Sequence, residues 1–407
     1  MPQRPSTHSA VAGVTMVTAG SMIANIASYL LHLPASRWLG PVGYGEFASL
    51  LAAQLVLAVP ALALQTVAAR EVVHGRNVHA VRALGGRCTA IVAVVAIALV
   101  PVVSWALDTG LWATFAALIT APMLVLLATE QGILQGEGRF GELSVVLAGA
   151  GIGKVLPAVV VLALGGDAGF ALVASAVGTA VVALTARALA GAELAGTGGT
   201  AAGPGSAGPS RIGVGAVLAA SQVQLALIAL SSMDLVIARM VLTNEDAGLY
   251  ALGAVATKVA FWLPQAVGVV LYPRMANPVH SASAVRSALA VLVGLGGVLV
   301  VGVAVASPLV PMLVGADYAP VQSLLWAFAL HGACLAVLQG ALLSAIAGER
   351  THLAAVAWVG LVVEMAVMVT VASTVGQMIT IAVSVASVTA LVVSVLSVRA
   401  ARAPRPD

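Results

Sequence analysis

Residues 88–107 read CTAIVAVVAIALVPVVSWAL, twenty positions without an Asp, Glu, Lys or Arg. A helix of about 20 apolar residues is long enough to cross the hydrocarbon core of a bilayer. Similar stretches lie on both sides of this one, and together they predict about twelve transmembrane helices. Their predicted ranges are 11–33, 47–69, 88–107, 111–134, 143–164, 168–190, 212–233, 247–271, 287–306, 320–347, 353–372 and 377–398.

The composition of the whole chain agrees with a membrane protein. Of its 407 residues, 61% are hydrophobic and only 8% are charged, and the mean hydropathy is +1.08. A soluble domain usually carries about 25% charged residues. The fold class is therefore predicted to be an all-α polytopic membrane protein. The net charge of +3 comes from basic residues scattered at the ends of apolar segments, so we predict no nucleic-acid partner.

One long stretch differs in composition from the apolar segments. Residues 191–210 read GAELAGTGGTAAGPGSAGPS, a mixture of small residues and proline that is typical of a linker. This stretch lies between the sixth and seventh predicted spans. We therefore predict an N-terminal six-helix lobe over 1–190, a cytoplasmic linker over 191–211, a C-terminal six-helix lobe over 212–398 and a basic cytoplasmic tail over 399–407.

The two halves carry a repeated pattern. Pro60 is followed ten residues later by Arg70, and Pro264 is followed ten residues later by Arg274. Because each half has an even number of spans, both copies should have the same orientation in the membrane. The repeat predicts two six-helix lobes related by an axis along the membrane normal, with a cleft between them.

The distribution of arginine predicts the orientation of the chain. Loops on the cytoplasmic side of a membrane carry an excess of Lys and Arg. If both termini are cytoplasmic, fourteen arginines lie on that side, and only Arg37 and Arg239 lie on the other. We therefore expect a multi-pass protein of a bacterial inner membrane with both termini in the cytoplasm. The fourteen are Arg4, Arg70, Arg76, Arg82, Arg87, Arg139, Arg187, Arg211, Arg274, Arg286, Arg350, Arg399, Arg402 and Arg405.

Ionisable residues inside the apolar segments are the main candidates for a site. Each costs roughly 2.5–3.5 kcal/mol at the centre of a span, so it usually faces a cavity or a partner. Lys154, Lys258 and Glu364 lie near mid-depth, Glu130 lies near one end of span four, and Asp234 lies near the outer end of span seven. In one interpretation Lys154 and Glu364 form a structural ion pair. In the other, the two lysines bind an anionic substrate and Glu364 tunes or couples that site.

Two further sets of polar residues are weaker candidates. Arg37 and Arg239 are related by the repeat, and they are either interfacial anchors or part of an electropositive exit. Asp234 has a candidate partner in Arg239. Amide side chains in apolar segments join helices by hydrogen bonds or line a cavity. The candidates for the cavity are Asn25, Gln54 and Gln265.

The sequence contains no arrangement of residues typical of a catalytic or metal site. Its seven histidines are scattered, and no nucleophile stands beside a base. Cys88 and Cys334 lie in or beside apolar segments, without the spacing of a metal site. We therefore expect no enzymatic activity, no metal and no cofactor.

Two stretches resemble a known family. The first runs from residues 28–45, which include ASRWLGPVGYG at 35–45, to residues 64–70 (LQTVAAR). The second runs from residues 233–250 to residues 271–274 (LYPR). Both are similar to the matching parts of the polysaccharide transporters, or lipid-linked oligosaccharide flippases, of the multidrug/oligosaccharidyl-lipid/polysaccharide exporter superfamily.

The resemblance implies a function. Proteins of that family have twelve to fourteen spans in two lobes around a central cationic cavity, and they move a polyprenyl-pyrophosphate-linked glycan across the membrane by alternating access. The expected partners are such a glycan or another amphipathic substrate, membrane lipids, and H+ or Na+ as a coupling ion. On this basis Lys154, Lys258, Arg37 and Arg239 are candidate substrate ligands, and Glu364, Asp234 and Glu130 are candidates for coupling or ion pairing.

Two other functions are compatible with the sequence. A cation-coupled multidrug exporter of the same superfamily is the nearest alternative. Many such exporters carry a carboxylate in the first span, where this chain has only Asn25. A membrane scaffold without transport activity is the second alternative.

Overall fold

The protein is an assembly of long helices that cross a membrane several times. The computed structural model describes residues 7–196, 214–262, 281–347 and 353–402, and no strand occurs among them. Ten stretches of these residues are long and apolar enough to span a bilayer. One of them, Thr15–Val73, has 59 residues, which is enough for two crossings because a crossing needs only about 20 residues. The predicted fold class, an all-α polytopic membrane protein, is confirmed.

Most of the helices follow the predicted spans, but the predicted span 47–69 is divided at Ala58 between two helices. The first half contains α1 (Thr7–Leu30), α2 (His32–Leu57), α3 (Val59–Val73), α4 (Val78–Leu107), α5 (Leu111–Gly136), α6 (Phe140–Ala163) and α7 (Ala168–Gly196). The second half contains α8 (Val214–Leu230), α9 (Met233–Val241), α10 (Asn244–Trp262), α11 (Ser281–Ala306), α12 (Val310–Val314), α13 (Leu325–Ala347), α14 (Ala354–Val371) and α15 (Val375–Arg402). Two 3₁₀ segments, Ser307–Leu309 and Ala316–Leu324, flank α12.

Four predicted segments lie partly outside the described residues. In the predicted span 212–233, residues 212 and 213 lie outside. The predicted span 247–271 is helical as far as Trp262, and its remainder lies outside. Residues 191–196 of the predicted linker continue α7, and the rest of the linker lies outside the description. In the predicted tail 399–407, residues 399–402 continue α15, and residues 403–407 lie outside.

By their packing the helices divide into two compact units. Unit 1 comprises Met1–Trp38 with Ala53–Ser221, and unit 2 comprises Leu39–Ala52 with Gln222–Asp407. This division differs from the predicted lobes over 1–190 and 212–398. Residues 39–52 of the first half pack into the second unit, and residues 214–221 of the second half belong to the first unit. Glycine makes this packing possible. A Cβ added to Gly45 would lie 3.0 Å from the backbone nitrogen of Gly248, so this close approach requires glycine.

Helix α2 is interrupted at Gly40, near the start of the segment 39–52 that packs into unit 2. Gly40 has φ +66° and ψ 178°, and Pro41 follows it. A positive φ is strained for residues with a side chain, and glycine adopts it freely. Proline removes a backbone donor that a continuous helix would use. The Gly-Pro pair therefore ends the first section of α2 and allows the chain to turn into unit 2.

Within unit 1, α5 is the central helix and packs against α3, α4 and α7, while α1 packs against α6. Small residues make this packing close: Cβ atoms added to Gly132 and Gly136 would overlap α3, and one added to Gly85 would overlap Thr129. Such small-residue seams are how helices associate in lipid.

Within unit 2, α13 is the central helix and packs against α10, α11 and α15. A Cβ on Gly332 of α13 would overlap the carbonyl oxygen of Thr257 in α10, and one on Gly253 of α10 would overlap the ring of Phe328. The seventh predicted span is broken at Ser231 and Ser232, between α8 and α9. Helix α9 begins after this break, inside unit 2, and it carries the first residue of the candidate site.

Candidate functional site

Asp234 is a buried carboxylate in the first turn of the short helix α9, and its side chain is only 2% exposed. Its Oδ1 accepts a hydrogen bond of 2.8 Å from the backbone N–H of Leu235. Its Oδ2 accepts one of 2.8 Å from the hydroxyl of Tyr250 in α10. Helix α9 starts at the break after Ser232, so Asp234 lies at the beginning of a helix. Its carboxylate is buried among the neighbouring helices.

Lys258 and Glu364 lie close to this carboxylate. Lys258 follows Tyr250 by two turns on α10, and Glu364 lies at the middle of α14, where it is 2% exposed. Each interacts electrostatically with Asp234. Three ionisable residues that were singled out separately in the sequence therefore come together inside unit 2.

His331 belongs to the same group, and sequence reasoning missed it. It lies on α13, is completely buried, and interacts electrostatically with Asp234. Neither of its ring nitrogens has a hydrogen-bond partner among the described residues. The available signal was a histidine inside the apolar segment 320–347. We call Asp234, Tyr250, Lys258, His331 and Glu364 the C-terminal charge cluster.

The cluster combines groups that are costly to bury. A carboxylate in a low-dielectric interior is stable only if hydrogen bonds or an opposite charge compensate it. Asp234 has two hydrogen bonds, whereas neither carboxyl oxygen of Glu364 has a hydrogen-bond partner within the part of the chain that the structure describes. A buried polar group in this condition usually has a role in binding or in proton exchange. The cluster can therefore respond to a proton, to a cation or to movement of a helix.

The two repeat-related arginines have different surroundings. Arg239 on α9 is 6% exposed, and its Nη1 has no hydrogen-bond partner among the described residues. Arg37 is exposed. The sequence treated them as equivalent, but the helix break before α9 turns Arg239 into the interior of unit 2.

Lys154 belongs to unit 1, in helix α6, where it is half-buried. The hydroxyl of Ser175 in α7 donates a hydrogen bond of 2.8 Å to its backbone carbonyl. Glu364 belongs to unit 2, so the pairing of Lys154 with Glu364 stays a prediction.

Glu130 has a clear partner in unit 1. It is completely buried in α5, and Arg82 of α4 binds both of its carboxylate oxygens, with Nε 3.0 Å from Oε1 and Nη2 2.8 Å from Oε2. Nη2 of Arg82 also lies 3.5 Å from the carbonyl oxygen of Arg187 in α7. A bidentate pair of this kind is strong and geometrically specific. The arrangement favours the ion-pair interpretation of Glu130, since it ties three helices together.

The three amides suggested for a cavity have three different outcomes. Asn25 is exposed on α1. Gln54 is buried in α2, and its Oε1 has no hydrogen-bond partner among the described residues. Gln265 lies outside the described residues.

The described residues contain no preassembled metal site. No group of three or more His, Cys, Asp or Glu side chains within 7–196, 214–262, 281–347 and 353–402 is arranged to hold a metal ion.

No protein-family model matches the sequence, and no curated protein matches it either. Solved structures do match the fold. A multidrug resistance MATE family transporter of the MOP superfamily, in its inward-facing conformation, has a TM-score of 0.64 at 14% identity and covers 96% of this chain and 99% of its own. The lipid II flippase MurJ, in an inward closed conformation, has a TM-score of 0.64 at 11% identity, with coverages of 95% and 87%.

A third structure with this fold is a MOP superfamily transporter from Pyrococcus furiosus. The reversed polarity of its binding pocket suggests that this transporter has a different function. Its TM-score is 0.51 at 14% identity, and it covers 96% of both chains. The protein therefore has the fold of MATE and MurJ transporters of the MOP superfamily. These transporters include both multidrug exporters and a lipid flippase.

Proposed function

We propose that the protein is a membrane transporter without enzymatic activity, which moves a lipid-linked oligosaccharide or a related anionic glycan precursor across the membrane by alternating access. The observation that carries the proposal is the C-terminal charge cluster. Four of its five ionisable side chains, those of Asp234, Tyr250, His331 and Glu364, are buried in the membrane-spanning part of a transporter fold. Their burial would be a large cost without a function. In alternating access, such a group is useful because its charge balance can differ between conformations.

Two observations support the glycan substrate. The stretches at 28–70 and 233–274 resemble those of lipid-linked oligosaccharide flippases, and MurJ, which has this fold, is a lipid II flippase. A phosphate-bearing substrate needs a cation to bind it, and an ammonium group supplies a suitable point charge. Lys154 in α6 and Lys258 in α10 are both candidates for that cation. Arg37 and Arg239 are further candidates.

A cation-coupled multidrug exporter is the second candidate function. Two buried carboxyl groups, Asp234 and Glu364, interact within one cluster, and one of the proteins with this fold is a multidrug resistance transporter. Carboxyl groups of this kind attract protons and cationic drugs alike. Under either function we propose H+ or Na+ as the energy source.

The proposal includes a location and an orientation. The arginine distribution supports an orientation with both termini in the cytoplasm, and the proposed location is a bacterial inner membrane. Membrane lipids and a polyprenyl-linked glycan are the proposed partners.

Complementation tests the proposal and separates the two substrates. A strain deficient in a lipid-linked oligosaccharide flippase and a strain hypersensitive to cationic drugs would each receive the wild-type gene and the variants Lys154→Ala and Lys154→Arg. We expect growth of the flippase-deficient strain with wild type and Lys154→Arg, reduced growth with Lys154→Ala at equal membrane expression, and no drug resistance. Drug resistance without complementation would favour the exporter, and full complementation by Lys154→Ala would remove the anion-binding role of that lysine.

A further inference from the structure

Lys154 stands on a turn of α6 that lacks one of its helical hydrogen bonds. Pro157, three residues further on, has no backbone N–H. The carbonyl group of Gly153 therefore cannot accept the bond that residue 157 donates in an ordinary helix. Because the ammonium group of a lysine sits at the end of a flexible stem, its location depends on the backbone of this weakened turn.

Helix α7 contacts the carbonyl groups of the same turn. The hydroxyl of Ser175, which is completely buried, donates a hydrogen bond of 2.8 Å to the carbonyl oxygen of Lys154. Three residues further along α7, Gly178 lies so close to the carbonyl oxygen of Gly153 that a Cβ at this position would overlap it. Cα–H groups in such contacts between helices act as weak hydrogen-bond donors. Helix α7 thus provides polar contacts at the point where α6 has lost a donor of its own.

We propose that Ser175 is a positioning residue for Lys154. Its hydrogen bond fixes the weakened turn of α6 against α7, and so it sets the place at which the ammonium group meets a phosphate group of the substrate. Lys154 is half-buried, so part of the residue is open to a ligand. The inference deepens the proposed function, on which it rests for the anionic substrate.

Thr179 provides a matched control in the same helix. It is 1% exposed and lies one turn after Ser175, and its hydroxyl donates a hydrogen bond of 2.8 Å to the carbonyl oxygen of Ser175, within α7. Ser175→Ala and Thr179→Val each remove one buried hydroxyl, but only the first change removes a bond to α6. Ser175→Cys is a second test variant, because a thiol nearly preserves the size of the side chain and donates only weakly.

The first measurement is the reaction of Lys154 with an amine reagent, which is independent of transport. The sequence contains two lysines, Lys154 and Lys258, so mass spectrometry can follow the reductive methylation of each one in the purified full-length protein in nanodiscs. We expect both Ser175 variants to raise the methylation rate of Lys154 by about 2-fold or more, because loss of the hydrogen bond releases the turn. Thr179→Val should leave this rate unchanged.

Three results of the labelling experiment would overturn the proposal. Equal rates in Ser175→Ala and wild type would show that the bond does not hold the lysine. A wild-type Lys154 that does not react would show an amine hidden from the reagent, and such an amine cannot meet a phosphate. Failure of both Ser175 variants to fold would show that the serine holds the fold as a whole.

The second measurement separates positioning of the lysine from general damage. In liposomes with a polyprenyl-pyrophosphate oligosaccharide, Ser175→Ala should raise the half-maximal substrate concentration about 3- to 10-fold and leave the maximal rate unchanged. The same change in a Lys154→Ala background should have no further effect, because no ammonium group is left to position. A loss that persists without the lysine would contradict the proposal. If the wild type moves no glycan while Ser175→Ala still changes the methylation of Lys154, the proposed function fails and the positioning by Ser175 stands.

Discussion

The hydroxyl group of Tyr250 donates a hydrogen bond of 2.8 Å to Oδ2 of Asp234, and both residues are buried. The bond joins α9 to α10 across 16 positions of sequence. Since Oδ1 of Asp234 is bound by the backbone of Leu235, the tyrosine is what satisfies the other oxygen. The orientation of the carboxylate thus depends on a phenol.

Replacement of Tyr250 by Phe should destabilise the protein. The change removes only the donor to a buried carboxylate, and hydrogen bonds to charged groups contribute about 1.5–3 kcal/mol. We expect a decrease of this size in the free energy of unfolding, measured in detergent with a chemical denaturant. A double-mutant cycle with Asp234→Asn measures the coupling directly, and a coupling energy near zero would show that the bond contributes nothing.

Replacement of Arg82 by Ala should be far more damaging than replacement of Arg76. Arg82 pairs with Glu130, whose side chain has no exposure, whereas Arg76 pairs with Glu71 with 31% of its own side chain exposed. Breaking a buried pair costs about 3–5 kcal/mol because a charge is left uncompensated. The pair of Arg76 with Glu71 should contribute less, because water screens the partly exposed arginine. Thermal unfolding of the two variants side by side measures the difference. Equal losses would mean that Glu130 is neutral or finds another partner.

Two glycine substitutions form a matched pair in unit 2. Gly332→Ala puts a methyl group against the carbonyl oxygen of Thr257, whereas a methyl group at Gly294 of α11 meets nothing within 4 Å. The first change should lower the free energy of unfolding by about 1–3 kcal/mol. The second should be neutral, or stabilising by up to about 1 kcal/mol, because Ala favours helix. A Gly332→Ala protein as stable as wild type would contradict the close packing of α10 against α13.

Replacement of Glu364 by Gln should affect transport more than folding. The amide keeps the shape of the side chain but removes its ability to exchange a proton. If the C-terminal charge cluster couples transport to an ion gradient, the rate driven by that gradient should fall by about 5-fold or more, since coupling free energies are typically 1–3 kcal/mol. Glu245→Gln, an exposed acid on α10, is the control. Equal gradient-driven rates for both variants would exclude Glu364 from coupling.

Much of the fold follows from apolar segment length. A helix in lipid must satisfy all its backbone groups internally, so runs of about 20 apolar residues determine where the crossings are. What the runs do not reveal is how helices break and where their pieces pack. The left-handed conformation of Gly40 and the break at Ser231 and Ser232 depend on neighbours that are distant in sequence, as does the packing of 39–52 into unit 2.

The sequence predicts only part of the candidate site, because it does not show which distant residues pack together. Asp234, Lys258 and Glu364 stand out because an ionisable group in an apolar segment is costly. Tyr250 gives no such signal, and the histidine at 331 gives one without indicating its partner. Only the packing of α10 and α13 brings these two residues to Asp234. Sequence spacing alone could not identify the partner of Glu130 either, since Arg82 lies 48 positions away on another helix.

The central claim is that the protein itself moves a lipid-linked glycan across a bilayer. The most direct measurement is the transbilayer movement of a fluorescent polyprenyl-pyrophosphate oligosaccharide in liposomes containing only the purified protein, read as protection from a membrane-impermeant quencher. Wild type should equilibrate the substrate across the bilayer, and Lys154→Ala should do so more slowly at equal reconstitution. A wild-type rate no faster than that of protein-free liposomes, under every H+ and Na+ gradient applied, would contradict the account.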